Sequence, residues 1–255
     1  MKKNLVAVLV MLLPVLVNAQ GVDVQPRYTI DKPTAGVMRR GGFDLGLRFY
    51  GQSGALLSLN VGISDRFMFG ASFGGNDALG QEEPDWNPAP GVLVKYQIFS
   101  ESIGMPGISV GFESQGYGPY FKADSLQRYL NKSPGFYVVA SKSYDFLERL
   151  DFHGGVNLSL ENQDKDRDPN LFMGATLAIN PHIEIIGEYD VAFNTTPSEP
   201  RRDVHDGEGI LNTGVRLNIK KVIYLELFLK DIFKNQTQTK DYVREFKITY
   251  FQFIL

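Results

Sequence analysis

The sequence has no cysteine, one tryptophan and three histidines among its 255 residues. The missing cysteines exclude a disulfide-stapled scaffold. Beyond the N-terminal region, no apolar run reaches the roughly 18 residues that a transmembrane helix requires. The chain is mildly acidic, with a formal net charge of −3, and it has no basic patch interleaved with aromatic residues, so nucleic acid is not an expected partner. Glycine, phenylalanine and tyrosine are abundant instead.

Alternation of apolar with small or polar residues is clearest between positions 54 and 74. Leu57 and Leu59 fall on one side, with Ser58 and Asn60 on the other, and the alternation resumes after the turn signal at 64–66. Successive side chains of a strand point to opposite faces, so this stretch predicts an antiparallel hairpin with one apolar and one polar face. The apolar face would point inward in a soluble sandwich and outward into lipid in a membrane barrel.

The N-terminus has the composition of a secretory signal peptide. Lys2 and Lys3 precede an apolar run over 5–17, and the run ends at the small-residue cleavage pattern closed by Ala19. We therefore predict a signal peptide over residues 1–19 and export of the mature chain.

The remaining alternating segments predict an all-β fold, namely a transmembrane antiparallel up-and-down β-barrel of about 12 strands. We assign this barrel to residues 42–255, and residues 20–41 to an N-terminal segment that is periplasmic or lumenal.

Short turns alternate with longer connections along the barrel. Outer-membrane barrels have this asymmetry, whereas a soluble sandwich has no reason for it. The short turns are 64–66, 100–106, 144–150, 180–182 and 220–221, and the longer connections are 75–90, 117–134, 161–169, 194–208 and 231–241. Within 117–134, Asp124 or Ser125 is expected to cap a short helix.

The polar faces of the predicted strands carry charges of both signs into the lumen. These lumen-facing candidates are Asp44, Arg48, Arg66, Lys95, Glu113, Glu184, Glu188, Arg216, Glu226 and Lys230. They either select solutes in a conduit or neutralise one another and fill the bore. Twelve strands do not decide between an open and a filled interior, and we favour a lumen largely closed by side chains and loops. The basic and acidic groups would lie on different arcs of the wall or interlock as salt bridges.

Other chemistry receives little support. Asp164, Asp166 and Asp168 alternate as calcium ligands can, but they lack the glycine and the final glutamate of an EF-hand loop, so they are a weak metal candidate. His153 is expected on the inner face beside Asn157, with no nucleophile–base pair evident. We therefore predict no cofactor and no enzymatic activity.

Several short stretches carry a resemblance to a known family. They are IDKPTAG at 30–36, VKYQIFSES at 94–102, PGISVGF at 106–112 and YVVASK at 137–142. The chain resembles the YjbH-type family of outer-membrane proteins, which are associated with exopolysaccharide production. Members of that family are typically much longer, so this chain would correspond to one barrel.

The resemblance and the strand pattern together predict a location in the outer membrane and a role in the cell envelope. We expect a surface-polysaccharide accessory protein or a narrow, porin-like channel. The alternative is a structural or adhesive barrel that acts through its external loops without transport. The expected partners are outer-membrane lipid, the barrel-assembly machinery and a polysaccharide.

Overall fold

A computed structural model describes residues 26–122, 126–195, 209–236 and 242–254, and the predicted signal peptide lies outside them. The strands in chain order are β1 Gly42–Tyr50, β2 Gly54–Gly62, β3 Phe67–Asn76, β4 Asp85–Trp86, β5 Gly91–Phe99, β6 Gly107–Glu113, β7 Tyr117–Phe121, β8 Arg128–Asn131, β9 Gly135–Tyr144, β10 Arg149–Leu158, β11 Asn170–Asn180, β12 Ile183–Asp190, β13 Ile210–Ile219, β14 Ile223–Lys230 and β15 Val243–Phe253. A single 3-10 turn occupies Phe193–Thr195. No helix within the described ranges is long and apolar enough to cross a membrane.

Twelve strands of one thirteen-stranded antiparallel sheet close into a barrel, and the thirteenth, β4, pairs with only two residues of β3. Each wall strand pairs with the next along the chain, and the first pairs with the last. Leu45 of β1 lies opposite Leu59 of β2 on one side and Tyr250 of β15 on the other. The pairing of β2 with β3 completes the ring, so the wall has no free edge. The predicted all-β, up-and-down barrel is confirmed.

The two faces of the wall differ as the alternation predicts. Leu59 is 45% exposed on the outside, whereas its neighbour Asn60 is 7% exposed on the inside. The same outward, apolar character recurs around the ring, at positions that include Phe69, Tyr96, Phe136, Phe152, Leu171, Ile185, Val215 and Leu227. An apolar outer face around a polar interior is the inverse of a soluble barrel and fits a lipid surround.

The connections are sorted by length between the two ends of the barrel. Short turns join β2 to β3, β5 to β6, β9 to β10, β11 to β12 and β13 to β14. The first wall strand begins and the last wall strand ends at this same turn end, where Gly42 pairs with Phe253. The longer connections lie at the opposite, loop end, where only the β1–β2 link over 51–53 is short.

The connection over 117–134 differs from the sequence expectation. In place of a helix it contains the hairpin of β7 and β8, which pair with each other in a separate two-stranded sheet. The candidate cap residues Asp124 and Ser125 lie outside the described residues. Tyr117, Tyr120 and Tyr129 are aromatic residues that favour strands, and Tyr120 packs edge-on against Tyr129 across the hairpin.

Candidate functional site in the barrel lumen

The lumen contains part of the chain itself, residues 26–38, which we call the plug. All of its residues except Pro26 and Tyr28 are buried. The plug turns back on itself, because the N–H of Thr29 donates to the carbonyl of Lys32 at 3.0 Å and the N–H of Thr34 donates to the carbonyl of Arg27 at 3.0 Å. Pro33 has no N–H to satisfy and suits this turn. The sequence predicts that the segment over residues 20–41 is either periplasmic or lumenal. Residues 26–38 of this segment lie in the lumen.

The tip of the plug is bound by one carboxylate of the wall. Oε2 of Glu188 accepts hydrogen bonds from the three backbone N–H groups of residues 30–32, at 2.9, 2.8 and 2.8 Å. The same oxygen accepts the hydroxyl of Thr29 at 2.6 Å. The wall also leaves room for the tip, since a Cβ at Gly174 would lie 2.6 Å from Cγ2 of Thr29. Successive N–H groups that converge on an anion form a strong site, so Glu188 is the central anchor of the tip.

Ion pairs attach the charged plug residues to three strands of the wall, β1, β12 and β14. Arg27 contacts Asp44 at 2.6 Å. Lys32 contacts Asp190 at 2.5 Å. Asp31 contacts both Arg48 and Lys230 at 2.6 Å. All of these side chains are buried, so each plug charge has an opposite charge in place of water.

Lys95 binds the plug through the backbone. Its Nζ donates to the carbonyls of Arg27, Thr34 and Gly36 at 3.1, 3.2 and 3.2 Å, and the side chain is fully buried. These three bonds use all three donors of an ammonium group. Tyr28 adds a bond from its hydroxyl to Glu113 at 3.0 Å.

The remaining lumenal charges interlock with each other, and Arg216 also donates to the plug carbonyls of Tyr28 and Thr29 at 3.3 and 3.5 Å. Arg216 lies between Glu184 and Glu226, at 2.8 Å from each. Lys247 also contacts Glu226, at 3.3 Å, and Glu245 contacts Lys230 at 3.2 Å. Acids and bases therefore alternate around the wall. The expectation that basic and acidic groups occupy separate arcs of the wall is wrong. The alternative, that they interlock as salt bridges, is observed.

Nine of the ten lumen-facing candidates lie buried inside the barrel: Asp44, Arg48, Lys95, Glu113, Glu184, Glu188, Arg216, Glu226 and Lys230. Arg66 does not, and its assignment to the lumen is corrected here. It lies exposed in the turn between β2 and β3, because the strand alternation stops at Gly62 and restarts only at Phe67.

Sequence reasoning missed further charged residues of the lumen, among them Asp151, Asp190, Glu245 and Lys247. Glu245 and Lys247 are two residues apart in β15 and therefore point to the same face. The alternation of apolar and polar residues that located the other candidates could have located these two as well. Asp190 is the last residue of β12, where the pattern ends and strand parity is hardest to assign.

At the loop end, the hairpin of β7 and β8 closes over the plug. Asn131 donates its side-chain amide to Asp31 of the plug at 3.1 Å, and the ring of Tyr117 lies 4.4 Å from the guanidinium carbon of Arg48. The hairpin is held from outside by Asp164, which contacts Arg128 at 2.9 Å and Lys132 at 2.8 Å. We call this hairpin the cap.

The same ion pairs bear on the weak metal candidate. Arg128 and Lys132 bind the carboxylate of Asp164, which also accepts the backbone N–H of Asp166. The carboxylate of Asp166 in turn accepts the backbone N–H of Asp168. Within the ranges that the structure describes, no group of three acidic, histidine or cysteine side chains could hold a metal ion. Nearby, burial raises the pKa of Glu161, although bonds from Ser133 and Tyr129 oppose the rise.

Little space remains between the plug, the cap and the wall. Cavities of about 50, 30 and 20 Å³ are lined by plug and wall residues, and another of about 80 Å³ lies under the cap. Each of these cavities has room for at most a few water molecules. Among the residues that the structure describes, the plug and the cap therefore fill most of the lumen.

One contact of a catalytic type was not found from the sequence. Nδ1 of His153 lies 2.8 Å from Oγ of Ser141 on the neighbouring strand β9, twelve residues earlier in the chain. The same Oγ accepts the backbone N–H of Ala35 at 2.8 Å, so the pair is covered by the plug. The hydrogen bond to Ser141 thus connects Ala35 of the plug to the wall.

The sequence and the fold were compared with those of known proteins. No protein-family model and no curated protein matches the sequence. Among solved structures, the KdgM porin is 12% identical with a TM-score of 0.48, over 82% of this chain and 98% of its own. The NanC porin is 10% identical with a TM-score of 0.43, over 84% of this chain and 100% of its own. The OmpF of Salmonella typhi is 9% identical with a TM-score of 0.33, over 83% and 96% respectively. All three TM-scores are below 0.5, so the fold assignment rests on the strand pairing above. The resemblance to the YjbH-type family stays a prediction.

Proposed function

We propose that the protein is a narrow outer-membrane channel whose resting state is closed by its own plug, and that the channel opens when the plug withdraws. The observation that carries this proposal is how the plug is attached. The plug fills the lumen, yet within the described ranges the strand ladder of the wall does not include it. Side chains and single backbone groups hold it, so it can leave without breaking the barrel.

The connection to β1 supports withdrawal toward the turn end. Arg39 and Arg40 are exposed just beyond the plug, and Gly41 has a φ of 75°, a left-handed conformation that glycine adopts readily. The N–H of Gly41 is bonded to the carbonyl of Gly62 at the wall, which fixes the end of this hinge. A hinge of three residues between a removable segment and a fixed strand suits a gate.

The polar character of both partners also supports a gate. An apolar plug would expose hydrophobic surface when it left, whereas water can solvate the charged plug and the charged wall on separation. By analogy with outer-membrane barrels, we place the turn end in the periplasm and the loop end outside. Export by the signal peptide and insertion by the barrel-assembly machinery belong to the same proposal. A link to surface polysaccharide rests on the family resemblance alone.

The alternative is a structural barrel that never opens and acts through its external loops. The cap favours this alternative, because its ion pairs with Asp164 hold the loop end rigid. The two functions differ in whether weakening the plug produces a current.

A Lys32→Gln variant tests the proposal. It removes the ion pair with Asp190 while keeping a side chain of similar length, so we expect frequent openings in planar-bilayer recordings where the wild-type protein is almost always closed. Arg66→Gln is the matched control, because it removes one positive charge at an exposed position in the β2–β3 turn, outside both the plug and the hinge. If Lys32→Gln folds and inserts but conducts no more than the control, the channel function fails and the structural barrel stands.

A further inference from the structure

We propose that the lumen contains a binding site for the carboxylate of a small solute, and that Asp31 of the plug is the intramolecular occupant of this site. Oδ1 of Asp31 is 2.6 Å from Arg48, and Oδ2 is 2.6 Å from Nζ of Lys230 and 3.1 Å from the amide of Asn131. All four side chains are buried. Both oxygens of one carboxylate are thus bound by two cations and a neutral donor.

The wall supplies one directly bonded carboxylate for the two cations of the site. Arg48 and Lys230 share a single wall carboxylate, Glu245, which accepts from Nε of Arg48 at 2.5 Å and from Nζ of Lys230 at 3.2 Å. Asp31 supplies the second negative charge. When the plug leaves, Arg48 and Lys230 keep Glu245 as their shared partner and lose Asp31, while Glu188 loses the backbone N–H groups of the tip at the same time.

The donors that Asp31 leaves vacant indicate the class of ligand. They are placed for the two oxygens of one carboxylate, with Arg48 on one oxygen and with Lys230 and Asn131 on the other. The guanidinium of Arg48 can bind a carboxylate through two parallel bonds. A cation would meet repulsion from both Arg48 and Lys230.

The surroundings add a preference for a solute with an apolar face. The guanidinium carbon of Arg48 lies 4.4 Å from the ring centre of Tyr117 and 5.2 Å from that of Phe228. These rings flank the cation and offer a surface for C–H groups next to the carboxylate, while Asn131 offers a hydrogen-bond donor. Because the site lies where the plug tip meets the cap, a solute in the open channel would have to pass it. The step from binding to transport rests on the proposed function.

Chemical rescue of stability in the full-length protein tests the binding site, and it does not require a conductance measurement. Asp31→Ala removes the carboxylate and leaves its place vacant, so we expect a lower midpoint for loss of the folded, heat-modifiable form. Added formate should restore most of that loss in a saturable way. Formamide, and chloride at the same ionic strength, should restore little, because they have the size or the charge of formate without its carboxylate. Wild-type protein, with the site occupied, should not respond to formate.

A second substitution tests whether formate binds at the proposed site. Asp31→Ala combined with Lys230→Met should lose the response to formate. If Asp31→Ala does not refold, its refolding yield with and without formate is the measurement, and recovery by formate alone supports the site. Equal recovery by chloride, or none by formate, overturns the proposal. If formate rescues stability but no plug variant conducts, the binding site stands while the channel function falls.

Discussion

Glu188→Ala is expected to convert the closed barrel into a conducting one, with the largest increase in conductance of any single substitution. The substitution removes the acceptor of three backbone N–H groups and of the Thr29 hydroxyl. Each buried group left unsatisfied costs about 1–3 kcal/mol, so the seated plug loses about 3–9 kcal/mol over the three N–H groups. Reversing a 99:1 equilibrium takes about 5.5 kcal/mol, which lies within this range. Planar-bilayer conductance measures the effect.

Glu184→Ala is the matched control for this prediction. Glu184 lies on the same strand and the same face as Glu188 and is bonded to Arg216, which also donates to the plug carbonyls of Tyr28 and Thr29. Arg216 keeps its bond to Glu226 when Glu184 is removed. The removal of Glu184 should lower stability without releasing the plug tip, so the conductance should stay near that of the wild type. Equal conductance in the two variants would mean that any loss of a lumenal carboxylate opens the barrel and that the contact with the tip is unimportant.

Leu59→Arg should sharply reduce the amount of folded protein in the membrane. Leu59 is 45% exposed in the middle part of β2, on the outward face. An arginine near the bilayer midplane costs a barrel about 2–4 kcal/mol, a large part of the 5–15 kcal/mol that stabilises a typical protein. The free energy of unfolding in lipid vesicles, followed by the heat-modifiable gel shift, measures the loss.

Ile63→Arg provides a depth control on the same face. Ile63 is 56% exposed and lies just past the turn end of β2, four residues and about 13 Å along the strand from Leu59. The cost of arginine falls to about 0–1 kcal/mol near the membrane interface. Similar losses in both variants would contradict the position of the bilayer around the barrel.

The wall was predictable from the sequence because every wall strand separates the same two environments. Lipid outside and polar groups inside impose a period of two, and this period located nine lumenal charges as well as the strands. The period gave the wrong face for Arg66, because a turn over residues 63–66 interrupts the alternation. The inward or outward face of a residue in this turn cannot be counted from the neighbouring strands. In the last strand the period also placed Glu245 and Lys247 inward, although they were not recognised.

The plug could not be predicted in the same way, because its contacts are far apart in sequence and lack a periodic signature. Thr29 and Glu188 are separated by 159 positions, and the plug backbone bonds to side chains of the wall. A segment with two prolines and little alternation predicts only that it is not a wall strand. The cap was missed for a related reason: its strands pair only with each other, and Asn131 reaches Asp31 across 100 positions.

A reversible covalent lock on the plug tests most directly whether the plug is the gate. A Cβ at Gly107 would lie 3.6 Å from Cβ of Ala35, within the roughly 3.5–4.5 Å found in disulfides, and the chain has no other cysteine to interfere. We therefore combine Ala35→Cys and Gly107→Cys with Glu188→Ala and record the conductance under oxidising and then reducing conditions. The protein should be closed while the disulfide is intact and should conduct after reduction. A current that is the same before and after reduction, with disulfide formation verified by mass, would show that the plug does not gate the barrel.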